Sequence, residues 1–160
     1  MRVVGRSRLS QWTGSTHRRL PMPVSRSRRF PAAVRRLHLW LPPLLYMLLI
    51  FHFSSESDPL PELTTRVSDK LLHTAEYGGL GLLICRAFVG EGISGIRAAL
   101  AAVAVSSAYG ATDEWHQAFV PLRSADVLDW LTDGAGSTIG AALYVVTAMV
   151  SSGWPKKPPK

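Results

Sequence analysis

Four long apolar segments constrain this chain more than any other feature of its sequence. They cover residues 37–53, 71–89, 96–112 and 134–150, and the last carries no charged residue. A helix rises about 1.5 Å per residue, so a segment of 17 residues spans about 26 Å, close to the ~30 Å of a bilayer's hydrocarbon core. Four such segments in 160 residues leave little length for a soluble domain. We therefore predict an all-α fold, an integral membrane bundle of four transmembrane helices.

Two alternatives stay open at this point. A soluble bundle with buried helices is compatible with segments this short, although only 18% of the residues are charged, against ~25% in soluble domains. The N-terminal residues are rich in Arg and Ser and contain no acid, which is also the composition of a transit peptide. A secretory signal fits poorly, because its basic region would be too long.

The distribution of charge predicts an orientation. The formal net charge is +7, yet 10 of the 18 basic residues are Arg within residues 1–36, and all 11 acids lie within 56–133. The net charge alone would suggest nucleic acid as a partner, but this uneven distribution of the charge excludes it. The C-terminus is also basic, as is the connection between segments two and three. The other two connections are acidic. By the positive-inside rule, both termini face the cytoplasm of a cell membrane and the acidic connections face outward.

This pattern divides the chain into three parts. We interpret residues 1–36 as a disordered, Arg-rich cytoplasmic tail, 37–150 as the transmembrane domain and 151–160 as a basic C-terminal tail. Whether the leading 35 residues belong to the expressed protein is left open.

Small residues predict how the helices meet. Gly136 and Gly140 form a GxxxG pair, and Gly78, Gly79 and Gly81 interrupt the second segment. In lipid, small side chains let helix backbones approach closely. The pair would serve contacts within the bundle or a homodimer through Gly136 and Gly140, and the sequence does not choose between them.

Polar side chains gather where this orientation places the outward ends of the helices. Spacings of three and four residues put many of them on common helix faces. A charge at membrane depth costs at least ~2.5–3.5 kcal/mol, so these groups need partners or water. Salt bridges between helices, such as Lys70 with Asp113, are the structural alternative. We predict instead an outward-facing ligand-binding pocket formed by Lys70, His73, Glu76, Tyr77, Asp113, Glu114, His116, Gln117, Arg123, Asp126, Asp129 and Asp133.

Several kinds of chemistry would use such a pocket. Imidazoles beside carboxylates act as general acid and base, which makes His116, Glu114 and His73 the catalytic candidates on a lipid head group. A column of acids and imidazoles would also relay protons or ions. Neither an HxxxH nor an HExxH pair occurs, and the single cysteine excludes a Cys-based zinc cluster, so we predict no metal and no cofactor.

Two runs of residues resemble signatures of the VanZ-like membrane family. The first contains Ser54-Ser55, Asp69-Lys70, His73, Tyr77 and Leu80-Gly81. The second runs from Asp113 to Arg123 as DEWHQAFVPLR and continues with Asp126, Asp129, Gly136 and Gly140. The resemblance covers about residues 54–141 and implies a small multi-pass helical protein, with a link to teicoplanin (glycopeptide) resistance. Two positions depart from the family pattern: Leu122 stands where the family usually has Gly, and Asp133 where it usually has Asn.

Three hypotheses follow for the function. In the leading one, the pocket binds an amphiphilic envelope ligand, such as a lipid-linked precursor or a lipoglycopeptide. Asp113 and Glu114 would orient the groups that contact its polar head, namely His73, Glu76, His116 and Arg123. The competing hypothesis is an enzyme that acts on such a head group with His116 or Glu114 as the base. In the third, the protein is a structural membrane subunit whose charges only join helices.

Overall fold

Each predicted apolar segment lies within one α-helix. The structure, a computed structural model, describes residues 31–57 and 68–152. Within these ranges it contains no strand and four helices, α1 (Ala32–Ser54), α2 (Asp69–Gly90), α3 (Gly95–Gln117) and α4 (Val127–Ser152). The all-α prediction of a four-helix bundle is confirmed. Residues 32–36, which we assigned to the N-terminal tail, form the first turn of α1. The rest of that tail and the C-terminal tail beyond residue 152 lie outside the described residues.

The turn between α2 and α3 is short and well defined. Gly92 has a φ of +95°, which a residue with a side chain rarely adopts. Its N–H donates to Val89 O at 2.9 Å, and Ile93 N–H donates to Phe88 O at 3.1 Å. These two bonds form a Schellman motif, which satisfies the last carbonyls of α2 and reverses the chain.

The helices alternate in direction, so the bundle has two distinct ends. One end, here called the site end, holds the C-termini of α1 and α3 and the N-termini of α2 and α4. The opposite end, here called the turn end, holds the α2–α3 turn. Helix α2 is central and contacts all three other helices, most extensively α4. Helix α1 is peripheral and packs mainly against α2.

The contact between α2 and α4 is made by backbone against backbone. A Cβ atom added to Gly140 would lie 1.8 Å from Gly78 O, and one added to Gly136 would lie 2.2 Å from Thr74 O. On the other side, a Cβ on Gly81 would lie 2.4 Å from Ser137 O. The prediction that small residues allow close helix packing is therefore confirmed. Gly136 and Gly140 meet α2 of the same chain, and a homodimer through them stays a prediction.

The surface is more apolar, and the interior more polar, than is expected for a soluble protein. Helices α1 and α4 are both long and apolar enough to cross a membrane, yet only 17% and 22% of their apolar stretches are buried. The leucines of α1 and the large aliphatic residues of α4 are mostly exposed. Beside a small hydrophobic core, the interior holds polar groups, among them Asp113, Ser137 and Asp133. Because a soluble bundle buries its apolar faces, this arrangement favours the membrane interpretation.

The α2–α4 contact generates a prediction for Gly140. We expect Gly140→Ala to lower the free energy of unfolding by at least about 2 kcal/mol, because the new methyl group would overlap backbone that cannot rotate away. Gly134→Ala on the same helix is the control, since its Cβ would find its nearest atom, Ser107 Oγ, at an ordinary 3.5 Å. Thermal unfolding of the purified proteins in detergent, followed by circular dichroism, measures the difference. Equal melting temperatures for the two variants would contradict the close approach.

Candidate functional site

A cavity of about 220 Å³ opens between α1, α2 and α3 at the site end. The wall formed by α1 is largely apolar and consists of Tyr46, Leu49, Phe53 and Ser54. The facing wall is largely polar and consists of Asp69, Leu72, His73, Glu76, Asp113, Gln117 and Arg123. Five of the predicted site residues thus line one cavity: His73, Glu76, Asp113, Gln117 and Arg123.

The deepest polar contact joins α2 to α4. His73 Nδ1 lies 2.9 Å from Asp133 Oδ1, and both side chains are buried, Asp133 completely. An ionised carboxylate can only accept, so Nδ1–H donates this bond. The other ring nitrogen, Nε2, lies 3.9 Å from Asp69 Oδ2, and both of these residues line the cavity. Gly110 on α3 makes room for the second oxygen, because a Cβ there would lie 2.9 Å from Asp133 Oδ2.

Two further carboxylates come from the end of α3. Asp113 Oδ2 accepts a hydrogen bond from Gln117 Nε2 at 3.1 Å, and Glu114 Oε2 accepts one from the backbone N–H of Asp126 at 2.8 Å. Both acids are more than nine-tenths buried. Within the described part of the chain, the remaining oxygens, Asp113 Oδ1 and Glu114 Oε1, have no hydrogen-bond partner. The site therefore holds buried acceptors that are only half satisfied.

The lysine fastens α2 to the start of α4. Lys70 Nζ lies 2.7 Å from Asp129 Oδ1 and 3.2 Å from Asp126 Oδ2, rather than pairing with Asp113. Asp126 also caps α4, because its Oδ1 accepts the N–H of Leu128 at 2.8 Å. This backbone bond, followed by the one from Lys70, lowers the pKa of Asp126 below its ordinary value. These residues hold the bundle together beside the cavity.

His116 does not enter the cavity that contains His73. Its ring stacks on Phe51 of α1 with centroids 4.6 Å apart, and its Nε2 lies 3.1 Å from Ser55 Oγ. The Ser55 hydroxyl already donates to Phe51 O at 2.7 Å, so it accepts from His116. His116 lines a separate, largely aromatic cavity of about 370 Å³ together with Phe51, Tyr109, Thr112, Asp113, Trp115 and Phe119.

Tyr77 lies in the core rather than on the cavity wall. It is fully buried, its ring packs 6.4 Å from that of Tyr109, and its hydroxyl has no hydrogen-bond partner among the described residues. Sequence reasoning missed three polar residues that do line the cavity, Asp69, Tyr46 and Ser54. Asp69 carried a signal, since it stands four residues before His73 on one helix face. The only signal at Tyr46 was its hydroxyl group within an otherwise apolar run.

The turn before Arg123 contains a strained residue. Arg123 N–H donates to Val120 O at 3.2 Å, which closes a turn with Pro121 and Leu122 at its centre. Leu122 has a φ of 66°. It occupies the third position of the turn, where a type II turn requires a positive φ and therefore favours glycine. Its side chain is 95% exposed, so nothing packs against it to offset the strain. This turn carries Arg123 into the cavity wall.

Comparison with known proteins gives one family. A family model described as VanZ/LLP1 matches residues 9–148, which is most of the chain and includes all four helices except the last residues of α4. No curated protein and no solved structure matches the chain.

The strained turn generates a prediction for Leu122. We expect Leu122→Gly to raise the free energy of unfolding by up to about 1.5 kcal/mol, because removing Cβ relieves ~1–2 kcal/mol of left-handed strain, whereas the added backbone freedom costs ~0.5–1 kcal/mol. Leu122→Ala keeps Cβ and should give no gain. Thermal unfolding of the three proteins in the same detergent compares them. A gain for Leu122→Ala equal to that for Leu122→Gly would show that the conformation of this residue is not the source.

Proposed function

This chain belongs to the VanZ/LLP1 family, and we propose on that premise that it is a multi-pass membrane protein whose cavity binds an amphiphilic ligand of the cell envelope. In this proposal all four helices cross the cell membrane, with both termini and the turn end in the cytoplasm. The arginines near the turn end, among them Arg35, Arg36, Arg86 and Arg97, support this orientation. The cavity then opens on the outer side.

The contrast between the two walls of the cavity carries the proposal. Tyr46, Leu49 and Phe53 of α1 form an apolar wall, whereas the wall built on α2 and α3 presents carboxylates, an imidazole and a guanidinium. A purely polar solute would leave the α1 wall unmatched. A purely apolar one would remove water from the ionised groups without replacing their hydrogen bonds. An amphiphile satisfies both walls.

The charges of the polar wall indicate which head groups fit. Lys70 is engaged by Asp126 and Asp129, whereas Arg123 Nε is buried without a hydrogen-bond partner in the part of the chain that the structure describes. Arg123 therefore suits a phosphate or carboxylate on the ligand. Glu76 and Asp113 suit donors such as sugar hydroxyls and peptide amides. Lipid-linked envelope precursors and lipoglycopeptides both combine these groups, and we propose teicoplanin resistance as the outcome of such binding.

Arg123 provides the test of ligand binding. We expect Arg123→Gln to weaken binding about 10- to 100-fold, because a charge-assisted hydrogen bond contributes ~1.5–3 kcal/mol. Purified protein is titrated separately with a lipid-linked peptidoglycan precursor and with teicoplanin by native mass spectrometry. The matched control is Arg97→Gln, an exposed arginine at the turn end.

The same variants are then expressed in a teicoplanin-susceptible strain. Wild type and Arg97→Gln should lower susceptibility, and Arg123→Gln should not. Binding of neither amphiphile by the wild type, or equal binding by the two variants, would contradict the proposal. If Arg123→Gln fails to lower susceptibility and also has a lower melting temperature than the wild type, Arg123 acts in folding and not in ligand binding.

One observation favours acid–base catalysis as a second candidate function. Asp133 holds the His73 ring through Nδ1, and Nε2 is left beside Asp69 at the cavity wall. A carboxylate that orients an imidazole in this way stabilises the imidazolium formed when the ring accepts a proton. His73 is the better placed base for a ligand in this cavity, since His116 lines the other one.

Conversion of the bound lipid separates catalysis from binding. If the protein is an enzyme, incubation with the lipid-linked precursor yields a product of different mass, and His73→Gln lowers the rate at least ~100-fold while the precursor still binds, because general-base catalysis contributes ~10²–10⁴-fold. Asp133→Asn should also slow the reaction. Liquid chromatography with mass spectrometry follows the lipid. Unchanged precursor after prolonged incubation with the wild type would reject this second candidate and leave the binding function intact.

A further inference from the structure

We propose that His73, Glu114 and Asp133 bind a divalent transition-metal ion at the base of the cavity. One ligand atom of each residue, an imidazole nitrogen or a carboxylate oxygen, lies within 4.8 Å of the others. The three residues come from α2, α3 and α4 and are all buried. The inference goes beyond the proposed function, because it concerns the protein without the proposed envelope ligand.

Unsatisfied oxygens are the observation that points to a cation. Asp133 Oδ2 and Glu114 Oε1 are buried and have no hydrogen-bond partner among the residues that the structure describes. Their side chains are 0% and 7% exposed, so bulk water does not solvate them. A buried carboxylate oxygen without a partner is costly, and a metal ion bound by these carboxylates would offset that cost.

The balance of charge around the three residues also favours a cation. Asp113 and Asp129 are buried nearby, which brings the buried acids of the site end to four with Glu114 and Asp133. The side chain of Lys70 is engaged by Asp126 and Asp129. Arg123 lies at the cavity wall with Asp113 and Glu76. A divalent ion would neutralise Glu114 and Asp133, which no lysine or arginine reaches in the described structure.

The donor set indicates the class of metal. One imidazole and two carboxylates suit Zn²⁺ and similar transition-metal ions, whereas Ca²⁺ and Mg²⁺ take oxygen ligands. Bonds of ~2.1 Å place tetrahedral ligand atoms about 3.4 Å apart, which is within the 4.8 Å that bounds the separations of the three groups. Three protein ligands leave a position for water or for an oxygen of a bound head group.

Zinc binding to the full-length protein tests the inference. The protein is purified in detergent, stripped with a chelator and titrated with Zn²⁺ by calorimetry. We expect one Zn²⁺ per chain, a raised melting temperature, and binding at least tenfold weaker in Glu114→Gln and Asp133→Asn. Both variants are close in shape to the native residues and keep an acceptor oxygen, and Glu114→Gln can still accept the N–H of Asp126. The control is Glu91→Gln, which removes an acid at the turn end and should bind as the wild type does.

The outcomes that overturn the inference are equally defined. They are no saturable Zn²⁺ binding by the wild type, equal affinity in all four proteins, or Mg²⁺ binding as tightly as Zn²⁺. If a variant does not fold, the wild type alone decides the question by proton NMR with bound Co²⁺. We expect Co²⁺ to shift imidazole proton resonances. If no imidazole resonance is shifted, His73 is excluded as a ligand. Because neither the lipid-linked precursor nor teicoplanin is present, these outcomes are independent of the ligand-binding proposal.

Discussion

The close approach of the α2 and α4 backbones is the constraint on which the rest of this structure depends. At Gly78 and Gly81 on α2 and at Gly136 and Gly140 on α4, the backbones of the two helices approach without an intervening side chain. That approach brings His73 within 2.9 Å of Asp133, and it lets Ser137 Oγ donate to Tyr77 O at 3.3 Å. With larger residues at the glycine positions, the helix axes would separate and the buried pair would be pulled apart. The packing of small residues and the polar site are therefore one feature of the fold.

The polar groups at the site end perform two different tasks. Near the surface, the half-exposed Lys70 and Asp126 form an ion-pair network with the buried Asp129 that joins α2 to α4, and Asp126 caps α4 as well. Deeper in the bundle, the acids outnumber the groups that could neutralise them, and several of their oxygens have no partner among the described residues. A network used only to join helices would satisfy its buried atoms, because an unsatisfied one reduces stability. The unsatisfied atoms of the deeper groups therefore support the proposals of a ligand and an ion made above.

The sequence was sufficient to predict the helices and the end of the bundle that holds the site. Apolar segments of bilayer length indicate helices whatever their partners, and GxxxG indicates close packing. The direction of each side chain could not be predicted, because spacing defines a face only within about 100°. Relative to Asp113, residues three and four positions later lie about 60° to one side and 40° to the other. Gln117 therefore bonds Asp113, whereas His116 faces α1. The three proposed metal ligands lie on different helices, so no spacing motif could reveal them.

The two walls of the cavity are held in place by different kinds of contact. The polar wall stands on α2, which the glycines fix against α4, so its geometry is rigid. Helix α1 is held instead by side-chain hydrogen bonds at three levels: Trp40 Nε1 to Glu91 at 3.4 Å, Tyr109 Oη to Met47 O at 2.7 Å, and His116 to Ser55 at 3.1 Å. Side chains can shift by rotation where a backbone contact cannot. The polar wall of the cavity is thus held by backbone packing and the apolar wall by side chains, and His116 contributes by positioning α1.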